Sequence, residues 1–180
     1  RHPKVIQAIQ QQLEKYLHIT VYGEFVQAPQ VQFATQLLAC LPDSFSSVYL
    51  TNSGAESVEG AMKLAKKYTG RRQIIAARKA YHGSTQGALS LIGNEAYHEA
   101  YAPLLPEISF INFGEENDLS LITKETAAVI IEPIQGEAGI RVPSKNYMQA
   151  LRKRCNETGT LLLFDEIQTG FGRTGKLFAF

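Results

Sequence analysis

Asp165 and Glu166 close the apolar run Leu161-Leu162-Leu163-Phe164, and Gln168 follows Asp165 after two residues. A carboxylate delivered at the end of a buried strand can pair with a ring nitrogen and keep it protonated, and an amide just beyond can hydrogen-bond another polar atom of the same ring. The run Ile130-Ile131 ends the same way, in Glu132, and the loop Pro133-Ile134-Gln135-Gly136 then leads to Glu137. Pro133 stops strand pairing, so Glu132 and Glu137 fall at the ligand edge of a sheet. The alternative for Glu132 is a structural ion pair with an arginine such as Arg141.

Two earlier segments share this setting. Thr51-Asn52-Ser53-Gly54-Ala55-Glu56 reads as a strand end, a tight turn and a helix start. Free N–H groups and the helix dipole at such a start favour a phosphate, and Gly54 lets the main chain approach it. The same residues also fit a plain N-cap at Ser53, with Glu56 and Glu59 offsetting the dipole. Tyr81-His82-Gly83 follows another strand. There an aromatic ring can stack on a planar ligand, or the pair is simply a half-buried tyrosine beside a surface histidine.

Gly170-Phe171-Gly172-Arg173-Thr174-Gly175-Lys176 matches the spacing of a nucleotide-binding loop. The match fails on mechanism, because Leu177 stands where a hydroxyl should ligate magnesium and no dedicated strand leads into the loop.

The elements that must carry these residues can be read from periodicity. Strands are predicted at 47–51, 73–77, 108–112, 127–132 and 160–165, the last buried on both faces, with helices over 3–17, 29–41, 55–69 and 145–158 and an irregular aromatic stretch at 18–27 that contains Tyr22. Strands alternating with helices call for an α/β fold: a mostly parallel central sheet with helices on both faces, three layers in all. At 180 residues, 44% of them hydrophobic, and a formal charge of +1, one substantial core fits, and neither nucleic acid nor a membrane surface is indicated as partner. Cys40 and Cys155, far apart in a chain with no apolar run of membrane-spanning length, suit reduced thiols in a cytoplasmic protein, and the four histidines show no metal-ligand spacing.

With Asn52-Ser53-Gly54-Ala55-Glu56, Tyr81-His82-Gly83, Glu132-Pro133-Ile134-Gln135-Gly136-Glu137 and Asp165-Glu166-Ile167-Gln168-Thr169-Gly170 in this order, the chain resembles the class III pyridoxal-phosphate-dependent aminotransferases, the acetylornithine, ornithine and 4-aminobutyrate type. The resemblance implies a fold-type-I enzyme that carries pyridoxal 5'-phosphate and moves an amino group from an amino-acid or ω-amino donor to a 2-oxo acid such as 2-oxoglutarate. It implies that Ser53, Gly54 and Ala55 hold the phosphate, and that Tyr81 stacks on the ring with His82 beside it. Asp165 would pair with the ring nitrogen and Gln168 approach the ring hydroxyl, both in catalytic roles, while Glu132 lines the cofactor side and Glu137 the substrate side. A cytoplasmic homodimer is expected.

Two departures bear on this. The family's Schiff-base lysine lies beyond the Asp-Glu-x-Gln segment, and only Lys176 follows Asp165 here. Ser84 occupies the position where those enzymes usually carry a carboxylate-binding arginine, which leaves room for a broader ω-amine:pyruvate-type transaminase. The ends, Arg1-His2-Pro3 and Ala179-Phe180, read as those of a piece: an N-terminal helical segment at 1–42, most of the cofactor-binding domain at 43–180, and no C-terminal domain. A catalytically silent module that binds the cofactor is the alternative.

Overall fold

In the computed structural model residues 1–20 and 23–180 are described; Tyr22 lies outside them. The chain divides into two compact units, Arg1–Tyr49 and Leu50–Phe180.

The first unit carries α1 (Pro3–Leu13) and α2 (Ala28–Ala39), each with proline in its first turn and neither with a buried residue. α1 stops four residues short of the expected Leu17. The Gln12 carbonyl is shared by the N–H groups of Lys15 and Tyr16, and the Gln12 amide donates to the Tyr16 carbonyl, so the helix frays into a closed turn. α2 tightens at its end, where the Cys40 N–H reaches the Leu37 carbonyl, ahead of Pro42. The strand expected at 47–51 does not form: the segment takes no regular structure and pairs with no neighbour among the described residues, and Tyr49 is 85% exposed. Its consecutive Val48, Tyr49 and Leu50 supply β-propensity, which without a partner for the backbone groups makes no strand.

The second unit holds a four-stranded sheet in the order β2-β1-β3-β4, with every pairing parallel: β1 (Gln73–Ala77), β2 (Ile108–Ile111), β3 (Thr126–Ile131) and β4 (Leu161–Phe164). Alternate residues of the strands feed two cores. Ile75, Ala77, Ile111, Val129 and Ile131 pack with Tyr147, Leu151 and Cys155 of α5 (Lys145–Thr158), while Ile74, Ala76 and Ile130 pack with Val58 and Met62 of α3 (Gly54–Thr69) and Ala88 of α4 (Gln86–Ser90). Helices therefore cover both faces, as the strand–helix alternation requires. Both long helices are capped as their sequences dictate: Ser53 and Ser144 accept N–H groups at the starts, and Gly70 and Gly159 take left-handed backbone at the ends.

The strand buried on both faces is β3, fully buried along its length, rather than β4, whose residues are all half-buried. Among the described residues β4 has a neighbour only on the β3 side, and an edge strand keeps one flank open whatever its composition. At the strands' amino ends, Arg71 Nη1 donates to the carbonyls of Thr126, Thr158 and Gly159, tying β3 to the end of α5. At the carboxyl ends the chain leaves β1 toward β2 on one side and leaves β3 toward β4 on the other. That reversal between adjacent parallel strands is where open α/β sheets leave a crevice.

Candidate active site

A cavity of about 250 Å³ sits at the carboxyl ends of the strands, between the loops that follow β1, β3 and β4 and the first turn of α3. Gly54 and Ala55 form its helix wall. Ser53 Oγ accepts the Glu56 N–H at 3.2 Å, and the Glu56 carboxylate accepts the N–H of Asn52, the residue before the cap, at 2.8 Å. Ser53 is exposed and spends its hydroxyl on this cap; it is not among the cavity's walls. Gly54 and Ala55 present first-turn N–H groups that have no intrahelical acceptor. A Cβ on Gly54 would stand 2.8 Å from Ile167 Cδ1, so glycine is what lets the β4 loop close against this helix.

From the loop after β1 come Tyr81, His82, Gly83 and Ser84. Tyr81 is 39% exposed, whereas His82, read above as a surface residue in one alternative, is 2% exposed. Gly83 has φ 120° and its absent Cβ would meet Ala55 Cβ at 2.8 Å, which seats this loop directly on α3.

Glu132, at the end of β3, is 4% exposed. Its two oxygens accept the N–H groups of Tyr81 and Gly136, both at 3.3 Å, and so join two loops. Burial pushes its carboxyl above the ordinary 4.5, against the lowering effects of the Gly136 N–H, His82 and the Tyr81 N–H. Arg141 does not pair with it: that guanidinium donates to Gln135 Oε1 and the Phe113 carbonyl and lies over the Phe113 ring. Glu137 is exposed and lies beside the cavity rather than in its wall, with Oε1 3.4 Å from Gln168 Nε2.

Asp165, 8% exposed, is fixed by three contacts: its N–H donates to the Ile131 carbonyl, Oδ1 accepts the Ile167 N–H at 3.0 Å, and Oδ2 lies 2.7 Å from His82 Nδ1. With Asp165 ionised, the shared proton sits on Nδ1 and His82 donates. Each carboxylate oxygen retains a lone pair for a further donor. His82 Nε2 is buried without a partner among the described residues. Gln168 lines the cavity, next to Gly136, where any side chain would collide with its amide.

Three features escaped the sequence. Ile167 forms an apolar wall together with Tyr81; an isoleucine between two polar site residues was its only signal. The pairing of His82 with Asp165 spans 83 residues, and nothing in either local pattern announces it. Glu166, which the sequence leaves without a role, accepts the N–H groups of Ala179 and Phe180 and the Thr169 hydroxyl, pinning the loop that follows. That loop runs as turns through 167–174 and bends through 175–177 rather than entering a helix, unlike a nucleotide-binding loop. Among the described residues, no group of three or more His, Cys, Asp or Glu side chains could hold a metal ion, and no helix is long and apolar enough to cross a membrane.

A parallel sheet with a carboxylate-lined crevice at its switch point and a helix N-terminus in the wall defines an open α/β protein of the kind whose ligands sit at the strand carboxyl ends. The chain belongs to the class-III aminotransferase family, whose model it matches over residues 1–180. It is 42% identical over 180 residues to the acetylornithine aminotransferase of Methanopyrus kandleri, an alignment covering 99% of this chain and 46% of that protein. It is 45% identical over 181 residues to the LysW-aminoadipate semialdehyde/glutamate semialdehyde transaminase of Sulfolobus acidocaldarius, covering 100% of this chain and 46% of that one. The chain thus spans about half the length of these relatives. Among solved structures, the PLP-bound amine transaminase from an uncultivated Pseudomonas species superposes with a TM-score of 0.92 at 27% identity, over 99% of this chain and 47% of that one. The fold is that of the pyridoxal-phosphate-dependent transferases of type I.

Proposed function

We propose that the full-length protein carrying this chain is a pyridoxal-phosphate-dependent aminotransferase that moves an amino group from an amino-acid or ω-amino donor to a 2-oxo acid. The observation that carries the reading is the single cavity combining a helix N-terminus, two apolar walls and a buried carboxylate with lone pairs to spare. These residues fit the cofactor. Gly54 and Ala55 offer N–H groups to the phosphate behind the Ser53 cap. Tyr81 and Ile167 offer faces to a planar ring, Gln168 an amide to its hydroxyl, and Asp165 an anion to its nitrogen.

When bound, pyridoxal phosphate would supply an electron sink, strongest while its nitrogen is protonated. Asp165 would hold that proton in place, and His82, by its contact with Oδ2, keeps the carboxylate aimed. Glu132 fixes the backbone of Tyr81 and Gly136, and thereby the ring wall and the approach to Glu137. Glu137, at the cavity's outer side, faces the donor. No lysine lines the cavity among the described residues; in this reading the lysine follows the Asp165–Gly170 segment.

Ser84 lines the cavity with a hydroxyl, which lacks the bidentate fork of an arginine, so recognition of the donor's carboxylate falls to other groups or the donor is an amine. Similarity to both an acetylornithine and a semialdehyde enzyme supports ω-amino chemistry. A homodimer in the cytoplasm completes the reading, the latter resting on cysteine usage. The test is a screen of acetylornithine, ornithine, 4-aminobutyrate and simple amines against 2-oxoglutarate and pyruvate in the full-length protein. Amino transfer from at least one donor is expected. Saturable cofactor binding with no transfer from any of them would contradict the enzyme and support a binding module.

A further inference from the structure

Glu59 is the sixth residue of α3, past the first turn, so its charge does not serve that helix's own N-terminus. Its half-buried Oε1 instead accepts three hydrogen bonds from another element: the Thr85 hydroxyl at 2.7 Å, the Gly87 N–H at 2.9 Å and the Ala88 N–H at 3.2 Å. Thr85 is the N-cap residue of α4, yet its side chain caps nothing there; the Glu59 carboxylate, reaching across from α3, takes the cap's place. Gly87 makes this possible, because a Cβ there would lie 2.2 Å from Glu59 Oε2. Two residues before Thr85, Gly83 also seats the loop on α3, against Ala55.

The loop carrying Tyr81, His82 and Ser84 is thus held, just past Tyr81 and His82, at two neighbouring points to the helix whose first turn carries Gly54 and Ala55. We propose that Glu59 is a positioning residue that sets the spacing between the phosphate-binding turn and the Tyr81 ring, so that the cavity selects a phosphate joined to an aromatic ring over phosphate alone. The proposal rests on the cofactor reading above. Glu59 touches no ligand; it acts through the backbone of the loop.

In the full-length protein, dissociation constants for pyridoxal 5'-phosphate and for inorganic phosphate are measured by calorimetry, together with the visible circular dichroism of the bound cofactor, which reports the asymmetry of the ring's surroundings. Glu59→Ala is expected to weaken pyridoxal 5'-phosphate on the order of 10- to 100-fold, to change phosphate by less than about 3-fold, and to diminish the dichroic band. Glu59→Gln keeps a carbonyl oxygen for the three donors and is expected to stay within about 3-fold of wild type on both ligands. Gly87→Ala, which evicts the carboxylate without removing it, is expected to reproduce Glu59→Ala and stands in for it if that variant fails to fold. Equal weakening of both ligands, or none, overturns the proposal alone. A wild-type protein that binds neither ligand overturns the cofactor reading with it.

Discussion

At the amino edge of the sheet Arg71 spends one nitrogen on three carbonyls, Thr126 Oγ1 donates to Gln73 Oε1, and Thr158 and Thr160 share a hydrogen bond, so the polar groups there are matched within the chain. The carboxyl edge of the same strands differs. There Glu132 is buried with no lysine or arginine beside it among the described residues, His82 Nε2 has no partner, and first-turn N–H groups of α3 face a cavity. Unmatched buried polar groups cost stability. The difference therefore separates an edge that holds the fold together from one that keeps capacity for a ligand at the fold's expense.

The largest expected effect falls on the open edge. Asp165→Asn should lower kcat/KM for amino transfer about 10²- to 10⁴-fold, the scale of losing a group that governs protonation in the transition state; a loss of less than about tenfold would break the assignment. At the closed edge, Arg71→Ala orphans carbonyls and should cost about 2–3 kcal/mol in a denaturant titration. Its dissociation constant for pyridoxal 5'-phosphate should stay within about 3-fold, and a larger change would mean that the two edges are not separable.

Glu166→Ala removes the acceptor for two N–H groups and a hydroxyl and should cost about 1–2 kcal/mol, much of it local. Limited trypsin digestion reads this as faster cleavage after Arg173 or Lys176, with the sheet resistant; unchanged cleavage would show that the loop is held otherwise.

The smallest effect concerns Glu132. Its folded pKa is raised by burial, so the folded state favours the protonated form. The stability this contributes is fully present below the ordinary value of 4.5 and is lost as pH rises through the raised folded value. Glu132→Gln lacks this dependence, so wild-type stability minus that of Glu132→Gln should fall as pH increases through that window. A difference independent of pH would show that the cavity is wetter than its burial implies.

Much of the scaffold could be read from local signals. α5 spans the residues its serine cap and terminal glycine demarcate, and α3 is framed in the same way by Ser53 and Gly70. β1 was legible to the residue, since an apolar run between a turn and a polar loop has few alternatives. The status of β4 was not, because Leu161–Phe164 has the composition of a central strand and only the sheet order puts it beside a single neighbour. The strand expected at 47–51 failed for a related reason: propensity is local, whereas pairing needs a partner.

For the site, strand ends and glycine turns pointed to Gly54, Tyr81, Glu132, Asp165 and Gln168, all of which line one cavity. The supports could not be read. His82 against Asp165, Glu132 against the Tyr81 N–H, and Glu59 against the Ala88 N–H of α4 are contacts across 83, 51 and 29 residues, and each depends on how the elements pack rather than on any spacing in the sequence.

The contrast between the edges is tested most directly by calorimetric titration of full-length wild type, Asp165→Ala and Arg71→Ala with pyridoxal 5'-phosphate. Saturable binding is expected in wild type, the same affinity within about 3-fold in Arg71→Ala, and at least about tenfold weaker binding in Asp165→Ala, a difference of roughly 1.4 kcal/mol. No saturation in wild type, or equal affinity in wild type and Asp165→Ala, would contradict it.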